Sequence, residues 1–151
     1  MFNRCCQRSG RPMCGPGVED IGPQPNVLNI ERTTVQNMNY RTVLWTGEHL
    51  QVTLMCIPVG GDIGLEVHPD TDQFIRVEQG VGTARMGCAQ DSLTFTTCIS
   101  AGSAVFVPAG TWHNVINAGN RPLKVYSIYA PPHHPHGAVQ RTKCDPDVAE
   151  T

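Results

Sequence analysis

Charge is scarce in this sequence. Only 16% of its 151 residues are charged, against a usual ~25%, which argues against a long salt-laced surface helix or a coiled coil. Lys124 and Lys143 are the only lysines. With 11 basic and 13 acidic residues and a net charge of −2, there is no cation cluster to displace the counterions of a phosphate backbone, so no nucleic-acid partner is expected. No apolar run approaches the ~20 residues of a membrane helix, so no membrane partner is expected either. Residues 1–17 hold Cys, Gly, Pro and Arg but not the apolar stretch of a secretion signal. The expected compartment is therefore the reducing cytoplasm, where the seven cysteines need not pair.

What is present is turn-forming and β-forming. Residues 1–26 are rich in Cys, Gly and Pro and read as a flexible N-terminal segment. Val, Ile and Thr make up about a quarter of the chain, and such stiff side chains favour strands. After Gly47, Gly or Pro interrupts nearly every stretch, leaving room for strands but rarely for a three-turn helix. Strands are expected at about 41–46, 50–57, 63–68, 73–79, 82–88, 92–99, 104–107, 113–117 and 123–130. Residues 30–39 can hold a short helix or an irregular arm. Leu93, Phe95 and Ile99 should share one face, as should Leu123, Val125 and Tyr129 opposite Lys124, Tyr126 and Ile128. Many short strands joined by tight turns predict an all-β sandwich or barrel over residues 27–132. A His/Pro-containing C-terminal tail follows at 133–151.

Two clusters carry chemistry. Glu66 and His68, two apart on a predicted strand, point to one face. Pro69 to Asp72 make the turn, and Gln73 returns beside them. A carboxylate, an imidazole and an amide oxygen thus converge from one hairpin, an N/O set suited to borderline and hard divalent metals. The second cluster runs Gly102, Pro108, Gly110, His113, Asn117. Its turn places His113 at the head of a strand, where it can enter the same cavity as His68.

The second cluster resembles the second motif of the cupin superfamily at every defined position. The first resembles the first cupin motif in spacing: Gly60 opens it, Glu66 stands at the first His position, His68 at the second, Gln73 at the Glu position and Gly80 at the final Gly. The stretch 61–74 looks like that of small single-domain bacterial cupins, and the likeness covers roughly residues 40–130. The resemblance implies a double-stranded β-helix (jelly-roll) barrel with an irregular N-terminal arm, commonly a homodimer, with a metal in its mouth. Carried over by position, the ligands are Glu66, His68, Gln73 and His113, where the family usually has three His and one Glu. The carboxylate has moved but the ligands' formal charge is unchanged. Glu66, His68 and His113 can form a two-His, one-carboxylate set, with Gln73 either a fourth ligand or a hydrogen-bonding neighbour. One divalent transition metal is implied, with Fe, Mn, Ni, Co, Cu and Zn all open. The alternative is a metal-free barrel in which these groups satisfy one another.

The function expected is that of a metal-binding cupin acting on a small oxygenated molecule as a dioxygenase or an isomerase/lyase. The alternative is a non-catalytic small-molecule or metal-binding module. Arg76 and Arg85 are expected to face solvent or pair with acids rather than line the cavity. Tyr126 and Tyr129 read as packing residues, one of which can reach the pocket. Cys56, Cys88 and Cys98 read as small buried hydrophobes. His133, His134 and His136 read as a solvated turn in preference to a lid. Cys5, Cys6 and Cys14, set among Arg4, Arg8 and Arg11, read as incidental thiols in a flexible segment.

Overall fold

A computed structural model describes residues 19–148. The reading of Cys5, Cys6 and Cys14 lies outside the described residues. The chain opens with a short helix, α1 (Ile30–Gln36), followed by strands β1 (Arg41–Thr46), β2 (Gln51–Ile57), β3 (Asp72–Gln79), β4 (Val81–Gly87), β5 (Phe95–Ser100), β6 (Ala104–Val107), β7 (Trp112–Asn117), β8 (Leu123–Ala130) and β9 (Val139–Gln140). Asn29 caps α1, its side-chain oxygen accepting from the Arg32 N–H at 2.9 Å. The helix stops at Asn37, which turns to extended backbone.

Every strand pairing is antiparallel. One sheet has the order β6-β3-β8-β2-β1-β9, the other β5-β4-β7. The core lies between their inner faces. Ile75, Val77, Val105 and Val125 from the first sheet and Ala84, Ile99 and Val115 from the second fall in one buried cluster. This is an all-β double-stranded roll, as the strand pattern predicted.

Several expectations need correcting. No strand forms over 63–68. Glycines at 60, 61 and 64, the first and last at positive φ of 75° and 91°, bend the chain too often for a continuous ladder. Only isolated bridges, Asp62 to Ile116 and Glu66 to His113, tie this loop to β7. β5 begins at Phe95, which is 51% exposed; in that strand only Ile99 is buried, because β5 is the edge of its sheet. For the same reason Cys98 is exposed; Cys88 is exposed in the turn just after β4, and Cys56 is half-buried.

Lys124 is buried although its neighbours Leu123 and Val125 fill the core on the other face of β8. It lies under the end of α1, where its ammonium donates to the Asn37 carbonyl. The His segment is not wholly a solvated turn: His133 and His136 are exposed, but His134 between them is buried. The chain beyond it returns to the roll, β9 pairing with β1. At the other end, Ile21 donates its N–H to the Leu44 carbonyl at 3.0 Å.

Arg85 is exposed and Arg76 pairs with Glu78 at 3.2 Å, as expected of ordinary surface arginines. Among the described residues, no helix is long and apolar enough to cross a membrane.

Candidate metal centre

Glu66 and His68 come to one place by a route other than a shared strand. The Glu66 N–H donates to the His113 carbonyl (3.0 Å) and the His113 N–H to the Glu66 carbonyl (2.9 Å). That single rung fixes the acid beside β7. Gly110, at a positive φ of 78°, makes the turn into β7 and donates its N–H to the His68 carbonyl at 2.8 Å, so the glycine-bearing turn of the second cluster holds the imidazole of the first. β3 starts at Asp72, whose carboxylate accepts from the Ala109 N–H at 2.8 Å, and Gln73 follows on its inner face.

The result is a compact group. Ligand-capable atoms of Glu66, His68 and His113 all lie within 4.8 Å of one another. His68 Nε2 is 3.3 Å and His113 Nε2 3.6 Å from Glu66 Oε1, and the two rings are 5.3 Å apart. Gln73 Oε1 stands 3.0 Å from His113 Nε2. His68 and His113 are buried, while the Glu66 side chain keeps 27% of its surface.

The hydrogen bonds around this group orient it. His113 Nδ1 donates to the Thr111 carbonyl at 2.9 Å, which turns Nε2 inward with its lone pair. Gln73 Nε2 donates to Ser127 Oγ (3.3 Å) and to the Tyr129 hydroxyl (3.1 Å), which turns Oε1 toward His113. Glu66 Oε1, Gln73 Oε1 and His113 Nε2 are then three acceptors facing one another. Such a convergence needs a cation between them, either a proton on an imidazole or a metal ion.

Electrostatics favour an ionised acid. Burial by itself would raise the Glu66 pKa; hydrogen bonds from His113 and His68 and the charge of His68 outweigh it, and with a further contribution from the buried Arg41 guanidinium the carboxyl sits well below the usual range. Burial raises the Tyr129 pKa, so its phenol stays protonated.

The four residues predicted from spacing are thus brought together. Two neighbours, Arg41 and Gln51, escaped the sequence reading, and a third, His133, was read as part of a solvated turn. Arg41 is buried at the start of β1, bonded to Gln140 Oε1 at 2.6 Å. Gln51 is fully buried at the start of β2. The His133 ring lies over His68, with 4.1 Å between centroids. The signal for Gln51 was present: it shares a strand face with Thr53, Met55 and Ile57, so a polar side chain was placed toward the core. Of the two tyrosines, it is Tyr129 that reaches the site.

The sequence matches the cupin domain family over residues 53–129. This chain is a cupin. It is 59% identical to the uncharacterised protein YrkC of Bacillus subtilis over 88% of this chain and 72% of that one. It is also 41% identical to the uncharacterised protein L612 of Acanthamoeba polyphaga mimivirus, over 77% of this chain and 71% of the other. The crystal structure of BH2720 from Bacillus halodurans superposes on this cupin with a TM-score of 0.83 at 61% identity, over 83% of this chain and 96% of that one. The jelly-roll predicted from the motif resemblance is therefore the fold of the relatives as well.

Proposed function

We propose that this cupin holds one divalent transition metal through Glu66, His68 and His113, with Gln73 Oε1 at its side, and acts on a small oxygenated molecule. The observation that carries the reading is the convergence of Glu66, His68 and His113, whose ligand-capable atoms lie within 4.8 Å of one another, with Gln73 Oε1 3.0 Å from His113 Nε2. A bound metal would supply Lewis-acid polarisation of a carbonyl or hydroxyl oxygen. The chain's own contributions are distinct. Glu66 stays ionised and gives the site one negative charge. Gln73 is aimed by Ser127 and Tyr129. Tyr129, protonated and buried beside Gln73, is the proton-bearing group nearest the amide.

Elemental analysis of protein purified without added metal, and again after incubation with Fe, Mn, Ni, Co, Cu or Zn, tests this. We expect one equivalent per chain, lost in His113→Ala. Protein that takes up no stoichiometric metal under any of these conditions removes the reading.

A second reading, a non-catalytic metal-binding module, is favoured by one observation: His68 and His113 are 5% and 1% exposed, which suits a closed site better than an open one. Water-proton relaxation of Mn(II)-loaded protein separates the two. A metal reached by exchanging water enhances relaxation, and a sealed one does not. Membership in a family that is commonly dimeric supports a homodimer, checked by sedimentation velocity.

A further inference from the structure

The segment after β8 is tied down far more firmly than a surface turn. The Gln51 side chain is fully buried and addresses two consecutive residues of that segment. Its Oε1 accepts from the His133 N–H (3.1 Å) and the His134 N–H (2.8 Å), and its Nε2 donates to the His134 carbonyl (2.8 Å). The remaining amide proton reaches Thr46 Oγ1 at 3.0 Å, so every polar valence of the amide that matters here is used on fixing this segment against β1 and β2. Two further anchors act nearby. His134 Nδ1 pairs with Asp147 Oδ2 at 2.6 Å, and Asp20, its side chain 1% exposed, accepts from the Gly137 N–H at 3.0 Å.

This anchoring has a geometric result at the metal site. With the His133 N–H held by Gln51, the His133 ring stacks on Tyr129 (5.6 Å between centroids, 25° between planes) and sits 4.1 Å from the His68 ring. The His134 ring meets Tyr129 edge-on at 5.0 Å. The two imidazoles thus bracket the one tyrosine that touches Gln73. Of Glu66, His68, Gln73 and His113, only Glu66 keeps an appreciable part of its side chain in solvent.

We propose that residues 131–134 form a built cover over the metal site, with the His133 ring as its lid and Gln51 as the positioning residue that holds it shut. The proposal rests on the metal-binding reading above for what it guards, but not for its existence. A cover differs from a ligand in a measurable way. Removing a cover speeds entry and exit together and leaves affinity nearly unchanged, because the ligand atoms stay in place. Removing a ligand speeds exit alone and weakens affinity.

The test uses Zn(II)-loaded full-length protein and the variants His133→Ala, Gln51→Ala and Gln51→Glu. Zinc release into excess EDTA is followed with a chromogenic chelator, and zinc uptake by stopped flow. We expect Gln51→Ala to speed both processes by roughly tenfold or more, the scale of losing at least one hydrogen bond, and His133→Ala, which removes the ring itself, to speed both as well. Gln51→Glu, which keeps both acceptor contacts and loses the donation to His134, should fall between them and wild type. His133→Ala removes no anchoring bond, so it carries the test if Gln51→Ala does not fold.

A second measurement needs no metal. The rate of diethyl pyrocarbonate modification of His68 in metal-free protein is read by peptide mass mapping, with the exposed His49 as internal reference. We expect the variants to modify His68 several-fold faster than wild type. Wild-type rates of zinc exchange and of His68 modification in both His133→Ala and Gln51→Ala would overturn the proposal. So would faster release with unchanged uptake and weakened affinity, which makes His133 a ligand. If wild-type protein binds no zinc, the exchange measurements fall away and the His68 labelling alone decides the cover, while the metal reading stands or falls on the other metals.

Discussion

The two ends of the roll's interior are built from the same strands and are equally buried, yet they are chemically opposite. At one end the row Gln73–Tyr129–Gln51 crosses β3, β8 and β2 in register, and all three side chains are polar and buried. Two rows along the same strands the inward residues are Val77, Val125 and Met55, with Leu123 and Ile57 beyond them. Burying polar groups is costly unless each is hydrogen-bonded. The apolar end needs only to be filled. The polar end has to be satisfied bond by bond, and Gln73 and Gln51 meet that requirement through specific partners. A fold that wanted stability alone would have continued the apolar rows to the mouth. The contrast shows where this chain gives up apolar packing for a site, and Glu66, His68 and His113 stand at that end.

The comparison can be broken at either end. Leu123→Ala, at the apolar end, should have the largest effect, lowering unfolding free energy by about 2–5 kcal/mol through lost burial and a cavity, with metal stoichiometry unchanged in the folded protein. Denaturant titration with parallel elemental analysis checks this. Loss of metal from folded Leu123→Ala would mean that the two ends are not independent.

Gln73→Ala, at the polar end, should weaken metal affinity by roughly 10–100-fold, the range seen when a group that supports metal ligands is removed. Competition with a chelator of known affinity measures it. An unchanged affinity would place Gln73 among the packing residues after all.

The smallest effect is a pH dependence at the rim. Burial, followed by the positive charge of Arg41, lowers the His134 pKa from 6.5 to about 4, overriding the attraction of Asp147. The buried Nε2, which has no hydrogen-bond partner, agrees with a neutral ring, since a second proton there would lack an acceptor. The folded pKa is depressed, so between pH 6.5 and about 4 the unfolded chain binds a proton that the folded chain does not. Stability therefore falls as pH drops through that window, with a slope of at most about 1 kcal/mol per pH unit from this group. His134→Gln should flatten that part of the stability profile. An identical slope in the variant would assign it to other groups.

Much of this was legible along the chain because the signals were local. Gly and Pro spacing marked the turns, β-branched residues marked β1, β2, β3 and β8, and the fixed spacing of Glu66, His68, Gln73 and His113 marked the site. The errors arose where a neighbour decides. Phe95 and Cys98 read as core residues, but β5 lies at a sheet edge where only Ile99 is buried. Residues 63–68 look like a strand, yet three glycines reduce them to a loop pinned by two rungs. Lys124 was placed opposite the core correctly, but nothing in β8 announced that α1 would cover it.

The sequence by itself determined an all-β roll and the identity of the four groups at its mouth, because strand periodicity and motif spacing are properties of neighbouring residues. Only the tertiary structure decided that Gln51, in a strand more than eighty residues earlier, clamps His133 and His134, and that Arg41 lends its charge to Glu66. Hydrogen-bond partners and buried charges are chosen by which side chains meet in space, and a one-dimensional pattern does not record that meeting.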